Sequence, residues 1–154
     1  MRPPTGDTGI ILFDAAADPL FVITMIGVRP EASVDAFLRR LDTIVRRGKP
    51  YALLLDYGHA EVSTRAVWEK YAAFMREHRA AIERYCVGSA IVVRDSKIRS
   101  SISAIAWMEP IRGPHAVCQD YAAAVQWLRE RFRETGLPFP RVPQAQSETP
   151  ATPA

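Results

Sequence analysis

The sequence predicts a mixed α/β domain with a mostly parallel five-stranded sheet and four helices. Three observations lead there. Short runs of branched and aromatic residues alternate with longer stretches of apolar residues at three-to-four spacing, the signature of strand–helix–strand units. Two of the short runs, YALLLD (51–56) and CVGSAIVV (86–93), are apolar almost throughout, as in parallel strands covered on both faces. The first two runs are separated only by a turn, so the chain starts with a hairpin-like pair.

Taken in order, GIILFD (9–14) and LFVITMIG (20–27) are strands joined at Ala17-Asp18-Pro19, where Asp-Pro is turn chemistry. The stretch RPEASVDAFLRRLDTIVRRGK then puts Val34, Phe37, Leu38, Leu41, Ile44 and Val45 on one helical face. Pro30 suits its first turn and Gly48 its end. After strand 51–56, one long helix is expected with Val67 or Trp68, Tyr71, Met75, His78 and Ile82 inward, and Ser63 as its N-cap. Strand 86–93 follows, then a helix over SKIRSSISAIAWM with Ile98, Ile102 and Ile105 inward and Ser96 as cap. HAVC is a brief last strand. DYAAAVQWLRERFRE is the last helix, capped by Asp120, with Tyr121, Val125, Leu128 and Phe132 inward. Residues 1–8 are expected to be flexible, 9–136 to form the domain, and the proline-rich stretch 137–154 to be a disordered tail.

The 154 residues, 48% hydrophobic and 24% charged, suffice for one self-supporting soluble domain. A net charge of +3 without a concentrated basic face gives no reason to expect nucleic acid. Cys86 and Cys118 lie in apolar surroundings without CxxC spacing and read as reduced, buried thiols. The start of the chain lacks the apolar core of a secretory signal, and the apolar stretch 9–28 is broken by Asp14, Asp18 and Pro19. The expectation is a cytoplasmic protein with no transmembrane segment.

The order of elements, LLLD at the central strand, EHRAAIERYCVGSAIVV running from helix to strand, and the closing QDYAAAVQWL helix resemble the STAS or SpoIIAA-like superfamily. That group includes anti-sigma-factor antagonists and the cytoplasmic domains of sulphate transporters, and the chain most resembles the stand-alone bacterial proteins grouped with STAS and with CRAL-TRIO-type lipid-exchange domains. The resemblance covers roughly residues 9–134. It implies a SpoIIAA/STAS-like fold and a protein partner, such as a kinase or an anti-sigma-like regulator. It also places Ser63 and Thr64 where the antagonists carry a phosphorylated serine. Here the residues are Val62-Ser63-Thr64-Arg65, without the aspartate before that serine or the glycine after it.

In an open parallel sheet, ligands and partners favour the carboxyl ends of the strands. The predicted topology gathers Asp56, His59, Glu61, Ser63, Thr64, Arg94, Asp95, Ser96 and Lys97 on that rim. A phosphate at Ser63 would face a helix N-terminus, which carries about half a positive charge. His59 and Glu61 form H-x-E, but no P-C-x-x-C follows, so no metal is expected. There is no G-x-S-x-G, no P-loop and no G-x-G-x-x-G, so no catalytic residue and no cofactor is assigned. His78 reads as a core histidine, and the arginines of the first and last helices read as solvated faces. The small residues Ser100, Ser101, Ser103, Ala104 and Ala106 would suit close packing or a shallow ligand groove. PRVP (140–143) matches a PxxP docking motif. The leading expectation is a non-enzymatic regulatory or protein-interaction module acting through Asp56, His59, Glu61, Ser63, Thr64, Ser96 and Lys97. The alternative is a carrier for a small apolar ligand or lipid, and an enzyme comes third.

Overall fold

In the computed structural model, which describes residues 9–145, the chain runs β1 (Ile10–Asp14), β2 (Leu20–Gly27), α1 (Glu31–Val45), β3 (Tyr51–Ala60), α2 (Arg65–Glu77), α3 (Arg79–Tyr85), β4 (Cys86–Val92), α4 (Ser96–Met108), β5 (His115–Cys118) and α5 (Tyr121–Thr135). The expectations for residues 1–8 and 146–154 lie outside the described residues. The strands follow chain order across one sheet, with β1 antiparallel to β2 and all later pairs parallel. The expected fold class holds. Each new strand is added on the same side of the last, so right-handed crossovers send α1 to α4 to one face. The last helix, α5, has no further strand to reach and covers the other face.

Alternating strand residues therefore feed two cores. Phe21, Ile23, Met25, Leu53 and Ile91 face the crossover helices, against Phe37, Leu41 and Ile44 of α1. Leu20, Val22, Leu54, Ala90 and Val92 face Ala124, Leu128 and Phe132 of α5. The α5 side is tight because its residues are small where backbones meet. A Cβ on Gly88 would come within 2.9 Å of the Trp127 ring, so only glycine lets α5 lie this close to β4. On the other face α2 and α4 pack chiefly against each other, and aromatic residues separate them from the sheet.

Five helices appear instead of four because the long second helix breaks at His78, whose backbone (φ −103°, ψ 17°) leaves the helical region. The buried imidazole bonds Asp42 of α1 at 2.9 Å and lies 4.3 Å from the Phe74 ring. It is the satisfied core histidine expected, held by a contact that local spacing does not reveal. Strand β3 also runs beyond Asp56, to Ala60. The last residues of β2 pair with His59 and Ala60 across a bulge, and Asp56 stabilises that bulge by accepting the Gly58 N–H at 2.8 Å.

Two caps differ from expectation. The hydroxyl that caps α2 belongs to Thr64, which accepts from the Val67 N–H at 3.4 Å, and Ser63 is buried with an unpartnered Oγ. For α4 the cap is Asp95, accepting from the Lys97 N–H at 2.8 Å, and Ser96 is the first helical residue. Thr64 and Asp95 each have extended backbone immediately ahead of the free N–H groups, and Ser96 is already helical. Asp120 caps α5 as expected. Thr64→Ala is expected to cost about 1 kcal/mol in urea unfolding, the usual worth of such a cap. Ser63→Ala should be neutral or slightly stabilising, because it removes a buried hydroxyl with no partner.

Residues 137–145 carry no helix or strand, but they are docked. After Gly136 (φ 76°) closes α5, Leu137, Phe139 and Val142 pack on the second core, and the Tyr121 hydroxyl donates to the Pro143 carbonyl at 2.6 Å. This part of the expected tail, with the PRVP stretch, packs on the domain. No described helix is long and apolar enough to cross a membrane.

Candidate functional site

The carboxyl edge of the sheet gathers the predicted residues. Asp56 and His59 lie on β3, Glu61, Ser63 and Thr64 in its connection to α2, and Ser96 and Lys97 on the first turn of α4. They differ in availability. Asp56 is buried and engaged in the bulge, Ser63 is buried, and His59 is half-buried, whereas Glu61, Thr64, Ser96 and Lys97 are exposed. Sequence reasoning missed Arg29, which anchors this edge from within. It is buried, and its Nη1 donates to the carbonyls of Gly27 at 2.5 Å and Glu61 at 2.7 Å, tying the ends of β2 and β3 together. Its guanidinium also lies 5.8 Å from the centre of the Tyr57 ring.

A second site lies under the crossover helices. Between the sheet and α1 to α4 is a cavity of about 140 Å³ with an almost wholly apolar lining. Leu53, Leu55 and Ile91 form its floor, Phe37, Phe74, Ile102 and Ile105 its roof, and Tyr51, Tyr57 and Tyr71 its corners. Leu55 is central on the middle strand yet only half-buried, so the cavity communicates with solvent. The aromatic rings explain the gap. Side chains as long as Tyr57, Tyr71 and Phe74 prop α2 and α4 away from the sheet, and packing around them leaves space.

The small residues of α4 play no part in this. Ile102 and Ile105 of that helix line the cavity, whereas the Ser101 hydroxyl is turned to the Lys97 carbonyl at 3.0 Å. The groove expected from Ser100, Ser101, Ser103, Ala104 and Ala106 is not the one that forms. The usable signal was the pair of long aromatic residues already expected to face inward, Phe37 and Tyr71.

Two polar atoms of the lining are buried without a hydrogen-bond partner among the described residues, the Tyr71 hydroxyl and Nε of Arg112. Burial pushes the Tyr71 and Tyr57 phenols well above their ordinary range, so both stay neutral. It raises the Cys86 thiol too, despite its contact with Ser89 Oγ at 3.4 Å. Cys86 and Cys118 are both free thiols, the first buried and the second half-buried. Beside Arg112 sits Glu109, the C-cap of α4, with its side chain only 5% exposed. Desolvation acts to raise its pKa, but Arg79 at 3.0 Å and Arg76 at 3.2 Å outweigh that and hold it below the ordinary value.

Asp42, Glu77 and His78 bring three possible metal-ligand atoms within 4.8 Å of one another, a convergence the sequence did not suggest. Arg46 already bonds Asp42 at 2.9 Å and reaches Glu77 at 3.5 Å. The cluster thus has its own cation and reads as an ion-pair network clamping α1 to the break between α2 and α3.

No protein-family model matches the chain, and no curated protein does. Among solved structures it is similar to an uncharacterized protein of the DUF3478 family with a SpoIIAA-like fold, from Shewanella loihica PV-4. The TM-score is 0.60 at 13% identity, over 82% of this chain and 99% of that one. The chain has a SpoIIAA-like fold.

Proposed function

We propose that the protein is a STAS-like, non-enzymatic module that binds a small apolar ligand in the cavity beneath α1 to α4. The cavity itself carries this reading. At roughly 24 cal/mol per Å³, a void of this size left empty costs on the order of 3 kcal/mol. Water gains little there, because ordered water needs two to four polar partners and this lining offers few. A cavity of roughly 150 Å³ with a similar lining takes up benzene-sized molecules. An apolar guest therefore recovers contacts that nothing else supplies. Hexanol at about a hundred times its Kd is expected to raise the melting temperature by roughly 5–10 °C, from about 2.7 kcal/mol of linkage. Unchanged melting across a series of alcohols from butanol to octanol sinks the reading.

A second reading places a protein partner, such as a kinase or an anti-sigma-like regulator, on the carboxyl edge. It is favoured by the shared exposure of Glu61, Thr64, Ser96 and Lys97 there. Thr64, at the N-terminus of α2, is better placed for phosphorylation than buried Ser63. The check is capture of a specific partner that Thr64→Glu alters, and indifference to that change counts against it.

A further inference from the structure

Among the lining residues one alone carries a charge, Arg112. Its side chain is 31% exposed while Nε is buried and unpartnered, so the guanidinium spans the boundary between cavity and solvent. Its carboxylate neighbours hold it loosely. Nη1 stands 3.8 Å from Glu83 and Nη2 3.8 Å from Glu109, both beyond hydrogen-bond reach. Glu109 is already committed to Arg76 and Arg79, and Glu83 is 53% exposed. Three arginines share two carboxylates here. An unfilled cationic donor at the edge of an apolar space complements an anion on an apolar body.

The cavity's size narrows the class. About 140 Å³ holds a body of roughly benzene size, so a chain of about six carbons fills it. It is a short slot against β3, lined there by Tyr51, Leu53, Leu55 and Tyr57. Arg112 lies at its foot. A Cβ on the next residue, Gly113, would stand 3.7 Å from Cys86 Cβ, and Cys86 pairs with Tyr51 at the start of β3. The phenols and the thiol along the slot stay neutral and do not repel an anion.

We infer that the slot takes a short single-chain carboxylate, of about six carbons, with its head on Arg112 and its chain against β3 beneath α2 and α4. This rests on the reading of the cavity as a ligand site and adds the ligand class. The test is calorimetric titration of the full-length protein with hexanoate and with hexanol at neutral pH. Hexanoate is expected to bind at least about tenfold more tightly, and Arg112→Gln to bring the two within about threefold. Glu83→Gln removes a competing carboxylate without touching the lining, and should tighten hexanoate about threefold with hexanol unchanged. Equal affinities in the unaltered protein, or a preference that survives Arg112→Gln, overturn the head-group assignment and leave the cavity standing. If Arg112→Gln does not fold, Glu83→Gln decides, and unchanged hexanoate affinity counts against the assignment. Binding of neither compound overturns the cavity reading and this inference with it.

Discussion

Leu55→Trp is expected to weaken hexanol binding more than a hundredfold and to melt within a few degrees of the unaltered protein. Leu55 sits mid-strand on β3 with its side chain in the slot, between Leu53 and Tyr57. An indole there reaches across the space the ligand needs. Enlarging a residue in a filled core costs typically about 1–3 kcal/mol because neighbours must move. Here the added ring enters a void, so the strain is small and new contacts offset it. The adjacent strand residues Leu54 and Asp56 point to the opposite face, so that core is untouched. Titration calorimetry with a parallel melting curve checks both parts. Hexanol affinity retained in a folded Leu55→Trp protein would place the ligand elsewhere.

Phe132→Ala, on the opposite face, should cost about 4 kcal/mol in urea unfolding, the usual range for a fully buried phenylalanine. Phe132 is 0% exposed, packs among Leu54, Val87 and Leu128, and meets Phe139 edge to face at 5.2 Å. The site cannot collapse to absorb the loss, because Trp127 already touches the sheet at Gly88. The change also removes the ring that seats Phe139, so the docked stretch after Gly136 should loosen with it. A loss under about 2 kcal/mol would show that α5 and this stretch are not part of one cooperative core.

The hairpin-like start, the mostly parallel sheet and most inward residues of α1 and α5 could be read from periodicity and connection lengths alone. What escaped has a common cause, that a long-range contact overrode a local signal. Nothing in EHRAAIERY marks the break at His78, which is held by Asp42 from another helix. Tyr57 to Ala60 look like a loop because the apolar run ends at Asp56, yet the end of β2 supplies pairing partners. Leu137, Phe139 and Val142 are too sparse for a periodic signal, and α5 provides the surface they need. Of the candidate site, the rim residues were placed on the correct edge by topology, but the burial of Asp56 and Ser63 was not legible. The cavity was not legible in the sequence, although Phe37 and Tyr71 of its lining were expected to face inward. Apolar spacing says which side chain faces the sheet, and it does not say how far the helix stands from it.

The unequal filling of the two faces has a mechanical consequence. Hydrostatic pressure favours states that eliminate internal empty volume. Here that volume lies under α1 to α4, while the α5 side is closely filled. Compression should therefore act on the crossover helices first and leave the sheet seated on α5, so the molecule has a yielding half and a stiff one. A guest that occupies the slot would make the two halves resist alike.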